Sequence, residues 1–280
     1  MARGLEEVAP GVHVATAGLW ATTSTVVVAS DRSCLLVDPA LTPAELDGLA
    51  ATVAGRGWRV TAVLSTHPHW DHLLVPASLT GVAHLASAAA VRAAREGRTA
   101  LVAEAAGSGT GSQAHLGVPD ALPAGAAGDG PSVPTWPAVR LAEHRAHAPG
   151  HLTVVVPVAR ALLVGDMLSD REVPLLDLDA ADPVTDYVAG LALLASLLPA
   201  ADVVVPGHGT VATAAQARAR LDADLRYLDG LAAGRPGTDP RLGDPWVRAE
   251  HERQADRLRG DPGPAAGPPP RDQGRDPGRP

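Results

Sequence analysis

Phenylalanine, isoleucine, lysine and asparagine are all missing from this 280-residue chain. All four are encoded by AT-rich codons, so their absence reads as a genome biased toward G and C rather than as a functional signal. The physical consequences remain. The core has to be built from alanine, valine and leucine with a few tryptophans, and every lysine-type contact must fall to arginine. The lone cysteine, Cys34, excludes an internal disulfide. Its setting, "SCLLVD", reads as a buried strand thiol, with a catalytic thiol as the alternative. No basic block precedes the arginine-containing tail and net charge is −8, which argues against a broad nucleic-acid-binding face. The first 20 residues lack a basic segment followed by an apolar run, so no signal peptide is read there. The most apolar stretch, residues 187–199, is too short to span a bilayer. The expectation is a cytoplasmic protein that acts on a small molecule, without nucleic-acid or membrane partners; the oligomeric state is not legible.

What is present suits a globular fold, with 46% hydrophobic and 19% charged residues. The N-terminal third reads as short strands separated by turns, including "GVHVATAG", "STVVVAS" and "CLLVD". Residues 42–57 read as a helix: Thr42 can cap it, Pro43 suits its first position, Glu45 can complete a capping box, and Gly55 and Gly57 end it. "RVTAVLS" (59–65) is a buried strand. A strand at "GVAHLAS" and an alanine-rich helix near 88–104 follow. Residues 105–135, rich in Gly, Ala, Ser and Pro, read as a long loop and candidate lid. Strands return at "AVRLAEH", "LTVVVPV", "ARALLVGD" and "DVVVPGHG". Helices fit 183–199, 213–232 and 245–259. The expected organisation is a single domain over 1–259, with a helical C-terminal extension over about 213–259. A disordered Pro/Gly/Arg tail is expected over 260–280.

One stretch stands apart. "STHPHWDHLLVP" (65–76) places His67, His69 and His72 around Asp71, using three of the 11 histidines in six positions. Random placement would give this spacing in roughly 2 of 1,000 such chains. In extended chain, residues i and i+2 point the same way, so His67 and His69 can reach one ion together. Asp71 and His72 lie where the chain must turn and can reach a neighbouring position. Imidazole and carboxylate suit Zn²⁺ and related ions. Three further candidates each directly follow a glycine at the rim of an apolar run: His151 in "APGHLTVVV", Asp166 in "ALLVGDML" and His208 in "DVVVPGHGT". For Asp166 a helix N-cap is a competing reading. His144 and His147, close to His151, read as rim or strand residues. Trp70 reads either as packing under the metal loop or as a wall of the substrate pocket, and His115 as a pocket residue on the lid.

The motifs "HPHWDH", "PGH", "GD" and "PGHG", in this order, resemble those of the metallo-β-lactamase superfamily over roughly residues 10–230. The resemblance implies an α/β (α+β) fold, a four-layer αβ/βα sandwich with a metal site at one edge of two sheets. It implies two divalent metals, Zn²⁺ in the first instance, with Fe or Mn as alternatives. His67, His69 and His151 would hold the first metal. Asp71, His72 and His208 would hold the second, and Asp166 would bridge them. Asp38, in "LLVDPAL", would support the ligands from behind. Many hydrolytic members follow the first motif with two glycines, where this chain has Leu73 and Leu74.

The reaction so implied is metal-dependent hydrolysis. A hydroxide between the metals would attack a small ester, thioester, lactone or amide, with Asp71 orienting it and carrying a proton. A mononuclear-iron sulfur oxygenase of the same fold is the alternative, and a metal-binding module without turnover is a second one.

Overall fold

The computed structural model describes residues 4–126, 136–235 and 237–260. Residues 261–280, which include nearly all of the expected tail, lie outside it, as do residues 127–135 of the expected lid.

The first sheet has seven strands in the order β1 to β7: Glu6–Ala9, Val12–Thr16, Thr23–Val28, Ser33–Val37, Arg59–Leu64, Ala83–Ala86 and Asp120–Ala121. The first four run antiparallel in sequence, and β4 to β7 run parallel. The second sheet has the order β12-β11-β10-β9-β8, with β8 at Arg140–His144, β9 at His151–Val156, β10 at Ala161–Leu163, β11 at Val203–Val205 and β12 at Ala212–Thr213. Here only β10 and β11 are parallel.

The alternation along each strand explains the layering. In β4, Leu35 and Val37 point into a layer shared with Leu152, Val154, Val156 and Leu163 of the second sheet. Cys34 and Leu36 point the other way, against Leu49 and Val53 of α1 (Pro43–Gly55). In the second sheet, Val155, Leu162 and Val204 pack outward on Tyr187, Leu191 and Leu194 of α4 (Pro183–Leu197) and on Leu221 and Leu228 of α5 (Ala214–Ala232). Helices α2 (Ala88–Glu96) and α3 (Arg98–Gly107) follow β6, and α6 (Pro245–Leu258) follows α5. Strands that are apolar on both faces require two covered faces, so the two sheets and their helices form an αβ/βα sandwich.

Local sequence accounts for the helix ends. Thr42 and Glu45 form the capping box of α1 with Pro43 in its first turn, and Thr213 and Gln216 form another at α5. The expected 105–135 loop is shorter than read. Its first residues complete α3, Ser112–His115 makes a 3-10 turn, and Asp120–Ala121 closes the edge of the first sheet. The expected alanine-rich helix is broken at Gly97, which separates α2 from α3. Pro183–Ala200 also corrects an expectation. At 18 residues it is long and apolar enough, by length and composition, to cross a membrane; here it packs Tyr187, Leu191 and Leu194 on the second sheet.

Candidate metal centre

Three strands end at one edge of the sandwich. β5 ends at Leu64, β10 at Leu163 and β11 at Val205, and the segments leaving them carry His67–His72, Asp166 and His208. β9 runs antiparallel to β10, so the connection from β8 to β9 turns at the same edge. The edge is tied across the two sheets: Thr23 N donates to the Gly207 carbonyl at 2.7 Å, and Thr23 Oγ1 to the Pro206 carbonyl at 2.6 Å.

Among the described residues two groups of donor atoms converge to within 4.8 Å: His67, His69, His147 and Asp166, and Asp71, His72 and His208. Asp166 links them, with Oδ1 3.1 Å from His72 Nε2 and Oδ2 3.4 Å from both His147 Nε2 and His208 Nε2. The second residue after β11 matters here. A Cβ on Gly207 would stand 2.0 Å from Asp166 Oδ1, so only glycine lets the carboxylate in. Asp166 caps no helix; α4 is capped by Asp182.

His147, not His151, completes the first group. His151 opens β9, and as a strand residue its ring lies one layer down, fully buried, beside His67 and His144. Its Nε2 faces Gly165, where a Cβ would come within 2.0 Å. His147 sits in the β8–β9 connection in a left-handed conformation (φ 69°), which lifts its ring over the edge. Its Nε2 then lies 2.9 Å from His69 Nδ1. The sequence did offer a signal, since three histidines cluster in "EHRAHAPGH"; choosing among them required knowing where the strand begins.

The outer contacts decide where the ring protons sit. His147 Nδ1 donates to the Leu175 carbonyl at 2.9 Å. Thr66 Oγ1 donates to Asp38 at 2.6 Å and so accepts from His67 Nδ1 at 3.0 Å. His208 Nδ1 lies 3.3 Å from the Trp20 carbonyl, and His72 Nδ1 lies 3.0 Å from Asp38 Oδ2. With Nδ1 turned outward in all four, each Nε2 points inward. There the ring nitrogens face one another and two carboxylates: His67 Nε2 is 3.1 Å from His69 Nδ1, and His72 Nε2 is 3.3 Å from His208 Nε2. Asp166 Oδ1 is buried and takes no hydrogen bond. Four inward imidazole nitrogens packed against two carboxylates suit cations that displace the ring protons, and imidazole with carboxylate suits divalent ones. The donor set therefore fits the metals that the sequence resemblance implies.

Charge tells the same story. Burial opposes a charged ring at His72 and His208, yet the carboxylates, Asp166 foremost, overcome it and hold both pKa values well above the ordinary histidine value. Burial likewise opposes charge on Asp166, but His72, His208 and His67 hold its carboxyl well below the usual range. His69 is pushed down to about 3, first by burial and then by His147.

The other expected residues fall as follows. Asp38, with φ 47°, accepts Thr66 N at 2.8 Å as well as the Thr66 hydroxyl, and so holds the loop and His72 from behind. Trp70 is only 7% exposed and packs with Leu41, Leu73 and Leu101, so it is a support for the loop and not a pocket wall. The buried Leu73 and Leu74 fill the same cluster. The partly exposed aromatic at the edge is Trp20, edge-on to Trp70 at 5.8 Å. His115 faces the Val75 carbonyl at 3.2 Å and joins neither donor group. Cys34 is buried between β4 and α1, and burial pushes its thiol up to about 11, which makes it inert. Sequence reasoning missed Glu172. Its Oε1 lies 4.0 Å from His208 Nδ1, and burial, with Asp166 and Asp71 adding to it against His208, raises its pKa. Nothing in its irregular loop marks it in the sequence.

Residues 17–208 match the metallo-beta-lactamase superfamily. The chain belongs to that family. Its members are mostly hydrolytic enzymes. No curated protein matches the chain. Solved structures of the metallo-beta-lactamase fold do. A metallo-beta-lactamase from Erythrobacter litoralis, with β-mercaptoethanol in its active site, is 18% identical with a TM-score of 0.57, covering 79% of this chain and 96% of its own. A stereoselective inverting sec-alkylsulfatase from a Pseudomonas species is 16% identical with a TM-score of 0.62, covering 82% of this chain and 42% of its own. TTHA1623 in a di-iron-bound form is 25% identical with a TM-score of 0.53, covering 72% and 95%.

Proposed function

We propose that the protein is a hydrolase of small esters, thioesters, lactones or amides that uses two divalent metal ions, zinc in the first instance. The observation that carries this reading is the second, complete donor group, Asp71, His72 and His208, standing beside the first and joined to it by Asp166. That second set favours hydrolysis with two ions over the single-iron oxygenase alternative. When bound, the cations supply Lewis acidity and ionise water near neutral pH.

The chain's own residues supply the rest. His67, His69 and His147 would hold one cation and Asp71, His72 and His208 the other, with Asp166 between them. Thr66, Asp38, Leu175 and Trp20 fix the rings from outside, so no reorientation is needed when substrate arrives. Asp71 Oδ2, 3.2 Å from His208 Nε2, is placed to orient a water and to hold its proton during attack. The lone cysteine is sealed in the core and offers no thiol nucleophile.

Protein purified without chelators should carry two metal equivalents, and metal analysis distinguishes zinc from the iron found in TTHA1623. A panel of esters, thioesters and lactones should show turnover that His67→Ala abolishes together with the metal. Full activity in a well-purified His67→Ala variant would refute the reading.

A further inference from the structure

Glu172 stands beside the metal centre without a close partner for its carboxylate. Its contact to His208 Nδ1 is 4.0 Å, while that nitrogen is served more closely by the Trp20 carbonyl and the Thr22 hydroxyl, each at 3.3 Å. No hydrogen bond reaches the carboxylate from the described side chains. It is not sealed away, since the side chain keeps 14% of its exposure. A carboxylate held in so little water is costly until a donor meets it.

Its position is built. Glu172 N donates to Ser169 Oγ at 3.1 Å, and the Glu172 carbonyl accepts Arg241 Nη1 at 2.8 Å. The same Arg241 nitrogen reaches the Ser169 carbonyl at 3.1 Å and Asp224 at 2.7 Å, and Asp239 holds the guanidinium from the other side. Arg241 follows α5 and lies beyond the residues that match the family, so a segment outside that match sets where Glu172 stands.

The charge around the centre is one-sided. Every ion pair that Asp71, Asp166 and Glu172 make among the described residues is with a histidine, none with an arginine, and the chain has no lysine. We propose that Glu172 selects the substrate: the centre takes molecules that bring a positive charge or an N–H donor beside the bond to be cleaved, such as amine-bearing esters, lactones or amides, and turns away those that bring a carboxylate, phosphate or sulfate there. This rests on the hydrolase reading above.

Three thiols of similar size but different charge test it without turnover: cysteamine, β-mercaptoethanol and mercaptoacetate. β-Mercaptoethanol sits in the active site of the Erythrobacter litoralis relative. Calorimetry on the zinc-loaded protein should show cysteamine binding about tenfold or more tighter than mercaptoacetate, with β-mercaptoethanol between them. In Glu172→Gln, which keeps the backbone bonds to Ser169 and Arg241, the three affinities should converge to within about threefold. A flat series in the wild type, including no binding at all, overturns the proposal, as does an order that survives Glu172→Gln. A uniform loss of all three thiols together with zinc overturns it too, and makes Glu172 a support for His208 instead. In parallel, kcat/KM is compared for an amine-bearing ester and its neutral counterpart. If neither ester is cleaved yet the thiol order behaves as expected, the hydrolase reading fails and the selection by Glu172 stands. If esters are cleaved and the thiol series is flat, the selection fails alone.

Discussion

Replacing His147 and His151 one at a time separates two residues four positions apart. His147→Ala removes a donor that lies 2.9 Å from His69 Nδ1, so it should lose at least one metal equivalent and about 100-fold or more in turnover. His151→Ala removes a ring packed beside His67 and should cost about 1–3 kcal/mol of stability while leaving two metals bound. Metal analysis beside thermal unfolding reads both, and the reverse pattern would restore His151 as the ligand. The raised pKa values of His72 and His208 lead to a second expectation. The surrounding carboxylates favour the charged form of both rings when no cation is present, so metal uptake must expel protons. The apparent affinity should therefore rise with pH, and calorimetry in buffers of different ionisation enthalpy should detect the released protons. Asp38 Oδ2 stands behind His72, 3.0 Å from its Nδ1, and Asp38→Ala should weaken metal binding by about 10–100-fold without removing a ligand.

At the scale of elements, the site depends on turns that leave strand ends abruptly. Gly207 is the sharpest case, because an added Cβ would stand 2.0 Å from Asp166 Oδ1. Gly207→Ala should displace the Asp166 carboxylate, so metal content should fall while far-ultraviolet circular dichroism keeps its shape. β6 carries a different kind of dependence. Ser65 Oγ donates to the His72 carbonyl at 2.6 Å and accepts from His84 Nε2 at 2.8 Å, while His84 Nδ1 is buried against Gly117 with no acceptor for a second proton. Burial pushes His84 down to about 4 from 6.5. Between those values the unfolded chain binds a proton that the folded one refuses. Stability should thus be full above about pH 6.5 and fall toward pH 4, by about 1.4 kcal/mol per pH unit for this one group. His84→Gln should make the measured slope shallower by about one proton; an unchanged slope would show that His84 is charged in the fold. The helices themselves were largely legible. Thr42, Pro43 and Glu45 announce α1 because capping is a local interaction. The end of α3 and the two-residue strand β7 were not, because a strand that short is defined by its neighbour and not by its own composition.

Over the whole molecule, the C-terminal segment is joined to the metal centre through buried guanidinium. Arg241 neutralises Asp224, which is 1% exposed and is still pushed up to about 6 by burial against Arg241's pull. Arg241→Ala would strand that carboxylate and should cost about 3–5 kcal/mol, read from denaturant unfolding of the full chain. Metal should act at the same scale in the opposite direction. Ions that bind only the folded chain stabilise it by about 2.7 kcal/mol at a free concentration 100-fold above Kd, so a chelator should lower Tm and added zinc should restore it.

The residue order settled the strand alternation that forces two covered sheets, the capping of the helices, and six of the seven inward-facing donors: His67, His69, Asp71, His72, Asp166 and His208. These are consequences of local periodicity and of ligand chemistry, which can be read along a chain. Three features waited for the fold: His147 in place of His151, Trp70 beneath the loop, and Glu172 beside His208. Each depends on which side of a strand end or turn a side chain emerges, and on what a segment distant in the chain places opposite it. Such facts arise only when the two sheets are closed on one another.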